Sequence, residues 1–189
     1  GVIETIRNFG KSYRDAKLVH RLDKDTSGCQ VIAKNNKFLR NCNKLISERK
    51  VKKTYQAIIH GNWIHKDGMY EINIEKNTLI GKERMVRISE GGKIAKTFFK
   101  AIESSKYFSL IQCELITGRT HQLRVHLSEL GFPIVGDKKY GIKENKFPKG
   151  SVHRTRMYLH ANSFISKDLN INLNVKPPNE FEKILKNDE

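Results

Sequence analysis

Four segments rich in aromatic and β-branched residues dominate the middle of the chain: Lys53 to Gly61, Tyr70 to Ile74, Lys96 to Ile102 and Phe108 to Ile116. Gly, Asn and Asp separate them, and no helical period intervenes. Successive strands joined without crossover helices pair antiparallel, so regular βαβ units are excluded. Apolar residues at helical spacing flank this block. Phe38, Leu39, Cys42, Leu45 and Ile46 predict an amphipathic helix that ends in the cationic cluster 49–53, where basic residues suit the helix dipole. Leu123, Leu127 and Leu130 predict a second helix from about Thr120, stopped by Gly131 and Pro133. A short helix is expected over Gly1 to Arg7, and another after Pro177-Pro178. Met157 to Phe164 and Leu169 to Val175 return to strand character. At 189 residues, with no internal repeat, the chain reads as one α+β domain on a mixed, largely antiparallel sheet with flanking helices.

Charge narrows the function. Lys and Arg total 36 against 20 Asp and Glu, a formal net charge of +16, which favours a polyanionic partner, nucleic acid first. Biased genomic base composition is the competing source of so many lysines. No apolar run approaches the length of a membrane span and the N-terminus has no signal-peptide pattern, so a cytoplasmic protein with no membrane partner is expected. Cys29, Cys42 and Cys113 lie far apart without C-x-x-C spacing, arguing for reduced thiols rather than disulfides or zinc.

Three clusters carry chemistry-bearing residues. His20-Arg21-Leu22-Asp23-Lys24-Asp25-Thr26-Ser27-Gly28 packs charged and hydrogen-bonding groups into a turn between Leu18-Val19 and Val31-Ile32-Ala33. Its Asp-x-Asp-x-Ser-Gly pattern imitates the start of a calcium loop, but Lys34 occupies the position that needs a bidentate Glu. A turn whose side chains satisfy local backbone N–H groups is the bland alternative. Thr117-Gly118-Arg119-Thr120-His121-Gln122-Leu123-Arg124-Val125-His126 places two Arg and two His at a helix start, a site suited to anions or simply a solvated basic end. No metalloprotease spacing is present. Lys53-Thr54-Tyr55-Gln56-Ala57 sets an aromatic ring beside the cationic cluster, where it stacks on a base or merely packs in the sheet.

In this order the three clusters resemble the signature segments H-R-L-D-x-x-T-S-G, K-x-Y-x-A and G-R-T-H-Q-[IL]-R-x-H of the RluA/RluC/RluD family of pseudouridine synthases. Pro133-Ile134-Val135-Gly136-Asp137, Tyr140-Gly141 and Leu159-His160-Ala161 extend the likeness over nearly the whole chain. Arg84-Met85-Val86-Arg87 with Gly91-Gly92-Lys93 is most similar to the RluC branch, which modifies large-subunit ribosomal RNA. Cys29 replaces the family's usual aliphatic residue, a tolerable exchange for a small hydrophobe. The family's opening K-P-x-G segment and its frequent S4 domain have no counterpart, so residues 1–189 are expected to be a catalytic domain lacking its N-terminal edge.

The resemblance implies a catalytic carboxylate at Asp23, paired with Arg124. It implies that Tyr55 stacks on the target base and is a candidate for proton transfer, and that Arg21 helps hold RNA around an extruded nucleotide. Arg119, His121 and the basic loop around Lys138, Lys139, Lys143 and Lys146 are candidate phosphate contacts. No metal or organic cofactor is implied, and a monomer acting on large-subunit ribosomal RNA is expected. The main alternative is a non-catalytic RNA-binding module on the same fold, against which intact Asp23, Tyr55 and Arg124 argue. A glycoside hydrolase or glycosylase would need a second carboxylate that the sequence does not offer. A DNA-binding regulator would need a recognition-helix motif.

Overall fold

A computed structural model describes residues 1–80, 83–142 and 156–186, with side chains described outside 77–84. Helix α1 (Val2–Arg7) leads through a 3-10 turn to β1 (Lys17–Leu18), β2 (Ser27–Gly28) and β3 (Ile32–Ala33). Next comes α2 (Asn36–Ser47), started by Asn35, whose side chain accepts the Phe38 N–H at 2.8 Å. The meander is β4 (Lys52–His60), β5 (Gly68–Ile80), β6 (Glu83–Ile88), β7 (Lys93–Ser104) and β8 (Phe108–Leu115). It is followed by α3 (Gln122–Glu129), β9 (Leu159–Ser166), β10 (Ile171–Asn174) and α4 (Glu180–Lys186).

The main sheet runs β10-β9-β4-β8-β7-β5-β6, all antiparallel, and β2 adds a parallel pair on β9. That pair makes the sheet mixed. β4 is central and buried on both faces. Ala57 and Ile59 join Phe99, Ile111, Leu123 and Leu127 in one core, while Ile58 joins Phe108, Tyr158 and α4's Phe181, Ile184 and Leu185 in another. A third core seats α2, with Cys42 and Leu45 against Val19, Val31, Ala33 and Phe164.

Most elements lie where hydrophobic pattern predicts them. β6 was not expected: among the described residues it pairs only with β5, and Glu83 and Arg87 interrupt the apolar alternation on which strand prediction depends. β5 likewise outruns the predicted Tyr70 to Ile74 at both ends. The solvated basic helix start is also overturned, because Gln122, Arg124 and His126 are buried along with Leu123 and Leu127. The three cysteines are free, as expected, with Cys42 and Cys113 buried.

Candidate active site

Asp23 sits in a turn closed by the Thr26 N–H on its own carbonyl at 3.0 Å. Both flanks of the turn are pinned. Before it, the His20 ring stacks on Phe164 with centroids 5.2 Å apart and accepts the Val31 N–H at 3.1 Å, while Gln30 donates to the His20 carbonyl at 2.8 Å. Burial, then the charge of Lys53, lowers the His20 pKa to about 4, so the ring is a neutral acceptor. After the turn, Ser27 and Gly28 lie parallel to His160 and Ala161 of β9. Gly28 has φ +116°, and a Cβ there would come within 2.3 Å of the Ala161 carbonyl oxygen, so only glycine permits this approach. His160 Nε2 meets the Val175 carbonyl at 3.2 Å and is therefore its protonated nitrogen. The Ser27 hydroxyl in turn donates to His160 Nδ1 at 2.9 Å and accepts from Arg156 at 2.7 Å. A sequence-distant strand thus fixes the loop that carries the carboxylate.

Arg124 comes from the first turn of α3 and reaches two carboxylates. Its Nη1 lies 3.5 Å from Asp23 Oδ2, while Nε and Nη2 grip Asp137 at 2.7 and 2.8 Å. The expected pairing with Asp23 is present, but Asp137 is the tighter partner. Burial would push the Asp137 carboxyl up. The bidentate Arg124 and the Lys139 and Tyr140 backbone N–H groups, at 2.8 and 3.1 Å, outweigh burial and hold it below its usual value. Burial likewise opposes the Arg124 charge, and the two carboxylates more than restore it. Gly136, at φ +74° with no room for a Cβ beside the Arg156 carbonyl, delivers Asp137 to this position.

His121 precedes α3 at φ 53°, a left-handed conformation that a non-glycine residue adopts at a cost. That backbone turns its ring toward Asp23, with Nε2 3.9 Å from Oδ1. Tyr140 accepts the Val86 N–H at 3.0 Å and donates its hydroxyl proton to His121 Nδ1 at 2.9 Å. This leaves the Nε2 proton facing the carboxylate. Burial lowers the His121 pKa, Asp23 opposing it and Arg124 adding to it, so the ring is neutral near pH 7. Gln122 locks the approach to α3: its side-chain oxygen accepts from Thr117 and the Arg119 N–H, and its nitrogen donates to the Lys96 carbonyl and Thr97.

Tyr55 lines the same cleft as Arg124 and is 8% exposed. Burial, then the Asp23 charge, pushes its phenol well above the ordinary range, so it stays protonated. Asp23, Tyr55, Arg124, Arg21, Arg119 and His121 all line one cleft of about 1020 Å³. Arg21 is exposed there, and Arg119 is anchored by its Nε on the Ile94 carbonyl at 3.1 Å. Lys138 opens instead onto a separate hollow, and Lys143 and Lys146 lie outside the described residues. Asp137 and Tyr140 carry no role that the sequence alone assigns. The signal available was that a buried helix arginine requires a buried counter-charge.

A sequence profile of the RNA pseudouridylate synthase family matches residues 4–129. The chain belongs to that family. Ribosomal large subunit pseudouridine synthase C of Pasteurella multocida is 39% identical over 191 residues, covering 98% of this chain and 58% of that protein. The proteins of the same name from Escherichia coli K12 and Haemophilus influenzae are 38% and 40% identical, each covering 85% of this chain and 51% and 50% of theirs. The chain therefore spans between half and three-fifths of the length of these relatives. Among solved structures, human RNA pseudouridylate synthase domain containing 1 superposes with a TM-score of 0.78 at 28% identity, covering 97% of this chain and 76% of that one. Human RNA pseudouridylate synthase domain containing 4 gives 0.73 at 28%, covering 90% and 75%. These relatives place the chain in the RluC branch of the pseudouridine synthases. No helix among the described residues is long and apolar enough to cross a membrane.

Proposed function

We propose that this chain isomerises uridine to pseudouridine in large-subunit ribosomal RNA, with Asp23 as the catalytic carboxylate. The observation that carries the reading is Asp23 itself: half-buried in a large basic cleft, 3.5 Å from the Arg124 guanidinium, faced by the His121 Nε2 proton and set near Tyr55. Family membership and the named relatives support the substrate class.

The reaction balances without redox change. The C1′–N1 bond of uridine breaks, the uracil turns, C1′ bonds to C5, C5 loses its proton and N1 gains one. A carboxylate at Asp23 serves either by attack at C1′ or by proton removal that forms a glycal-like intermediate. Arg124 fixes its orientation, and Asp137 fixes Arg124. Tyr55 offers a flat ring and an O–H donor to the uracil. Abstraction of the C5 proton by Tyr55 would need its phenolate, which burial and Asp23 oppose. Arg21, Arg119 and His121 line the mouth as contacts to the displaced nucleotide and its backbone, a uridine in a stem having to leave its stack before C1′ is reachable. The test is to incubate unmodified large-subunit ribosomal RNA with the chain and map carbodiimide-dependent reverse-transcription stops. New stops at discrete uridines support the reading. RNA binding with no new stop favours the non-catalytic binding module.

A further inference from the structure

Among the described cations that line the cleft and that no proposed catalytic step uses, Lys53 alone is partly buried. Lys53, two residues before Tyr55 on β4, lines the same cleft as Tyr55 and Asp23. Its neighbours are paired: Lys52 meets Glu114 at 2.7 Å, and Lys50 meets Glu48 at 3.1 Å and Asp168 at 3.9 Å. Lys53 has no ion pair or side-chain hydrogen bond among the described residues. It is partly buried, and burial lowers its pKa. The nearby His20 ring is neutral and supplies no counter-charge. Gly118 lies beside the ammonium, where a Cβ would sit 3.5 Å from Nζ, so residue 118 itself places no side chain against it. A partly desolvated ammonium without a partner costs free energy in the empty protein, and an entering anion offsets that cost.

Position says which anion. Alternate residues on a strand lie about 7 Å apart on one face. A base against Tyr55 therefore carries its flanking phosphodiester, one ribose away, toward Nζ. We infer that Lys53 is the seat of a phosphodiester flanking the uridine that enters the cleft, and so positions that nucleotide through its backbone. The inference rests on the proposed RNA substrate and assigns Lys53 a contact separate from the chemistry at Asp23.

The experiment reads binding rather than turnover, so that failure to isomerise and failure of this contact are separable. A short RNA hairpin with a single loop uridine is titrated against the whole chain at low salt. The phosphodiester 5′ of the uridine, 3′ of it, or one step farther out is replaced in turn by a neutral methylphosphonate. The wild type is expected to lose about ten-fold in affinity for one flanking replacement, the size of a charge-assisted hydrogen bond. Lys53→Met should lose the same factor on unmodified RNA and nothing more on that replacement, whereas Lys53→Arg retains most of the affinity and the sensitivity. Removing an uncompensated charge should leave the Lys53→Met unfolding midpoint at or above that of the wild type. Wild-type affinity in Lys53→Met, undiminished sensitivity to the flanking replacement, equal sensitivity at every phosphate, or a lowered midpoint would each overturn the assignment.

Discussion

The two walls of the cleft handle charge in opposite ways. On the α3 wall, Arg124, Asp137, Asp23, His121 and Tyr140 form a network in which each charge has a partner within the protein. On the β4 wall, Lys53 stands without one among the described residues. A network satisfied before substrate arrives can hold reacting groups in place without reorganising during the reaction. A charge left unsatisfied has its partner in the ligand. The first arrangement suits catalysis and the second suits binding, and the two should fail differently when broken.

Arg124→Ala gives the largest effect. It strands Asp137, which is 1% exposed, and removes the cation from Asp23, at a cost of about 3–5 kcal/mol. Urea unfolding should show the loss together with abolished turnover. Arg124→Lys should recover part of the stability but not the bidentate grip.

Acid probes the buried neutral histidines next. The pKa of His20 is lowered to about 4, against 6.5 for a free imidazole, so between those values the unfolded chain binds a proton that the folded chain refuses. Stability is therefore full above pH 6.5 and falls as pH drops toward 4, by about 3 kcal/mol when titration is complete. His126, also near 4 through burial, adds to the same fall. Urea midpoints at pH 7 and pH 5 would measure it. Because the Lys53 charge contributes to the His20 shift, Lys53→Met should raise the His20 pKa in an NMR titration and flatten the pH dependence.

Asp137→Asn should cost roughly 2 kcal/mol of stability by weakening a charge-assisted bidentate pair. It should lower kcat more than RNA affinity, because it loosens Arg124 and leaves Lys53 untouched. Equal falls in both would erase the distinction between the walls. The smallest effect is on Lys53→Met, a rise in unfolding temperature of about 2–4 °C if relief of the buried charge amounts to about 1 kcal/mol.

The same contrast explains what was legible in the sequence. β4, β7 and β8 announce themselves because apolar and β-branched residues mark strands buried in the middle of a sheet. β6 and the two-residue β2 do not, one because charged residues break its pattern and the other because its partner, β9, lies more than 130 residues away. Asp23, Tyr55, Arg124, Arg21, Arg119 and His121 could be named because they fall within motifs, and they share one cleft. Asp137 and Lys53 lie within motif segments as well, yet the sequence assigns them no role. What distinguishes them is the presence or absence of a partner in space, and local pattern carries no record of that.

Isomerisation at Asp23 is tested most directly by tritium release from large-subunit ribosomal RNA labelled at uridine C5, comparing the wild type with Asp23→Asn at matched RNA occupancy. Release by the wild type with none by Asp23→Asn, and no free uracil from either, is the predicted result. Release by Asp23→Asn at the wild-type rate, or none by a wild type saturated with RNA, would contradict it.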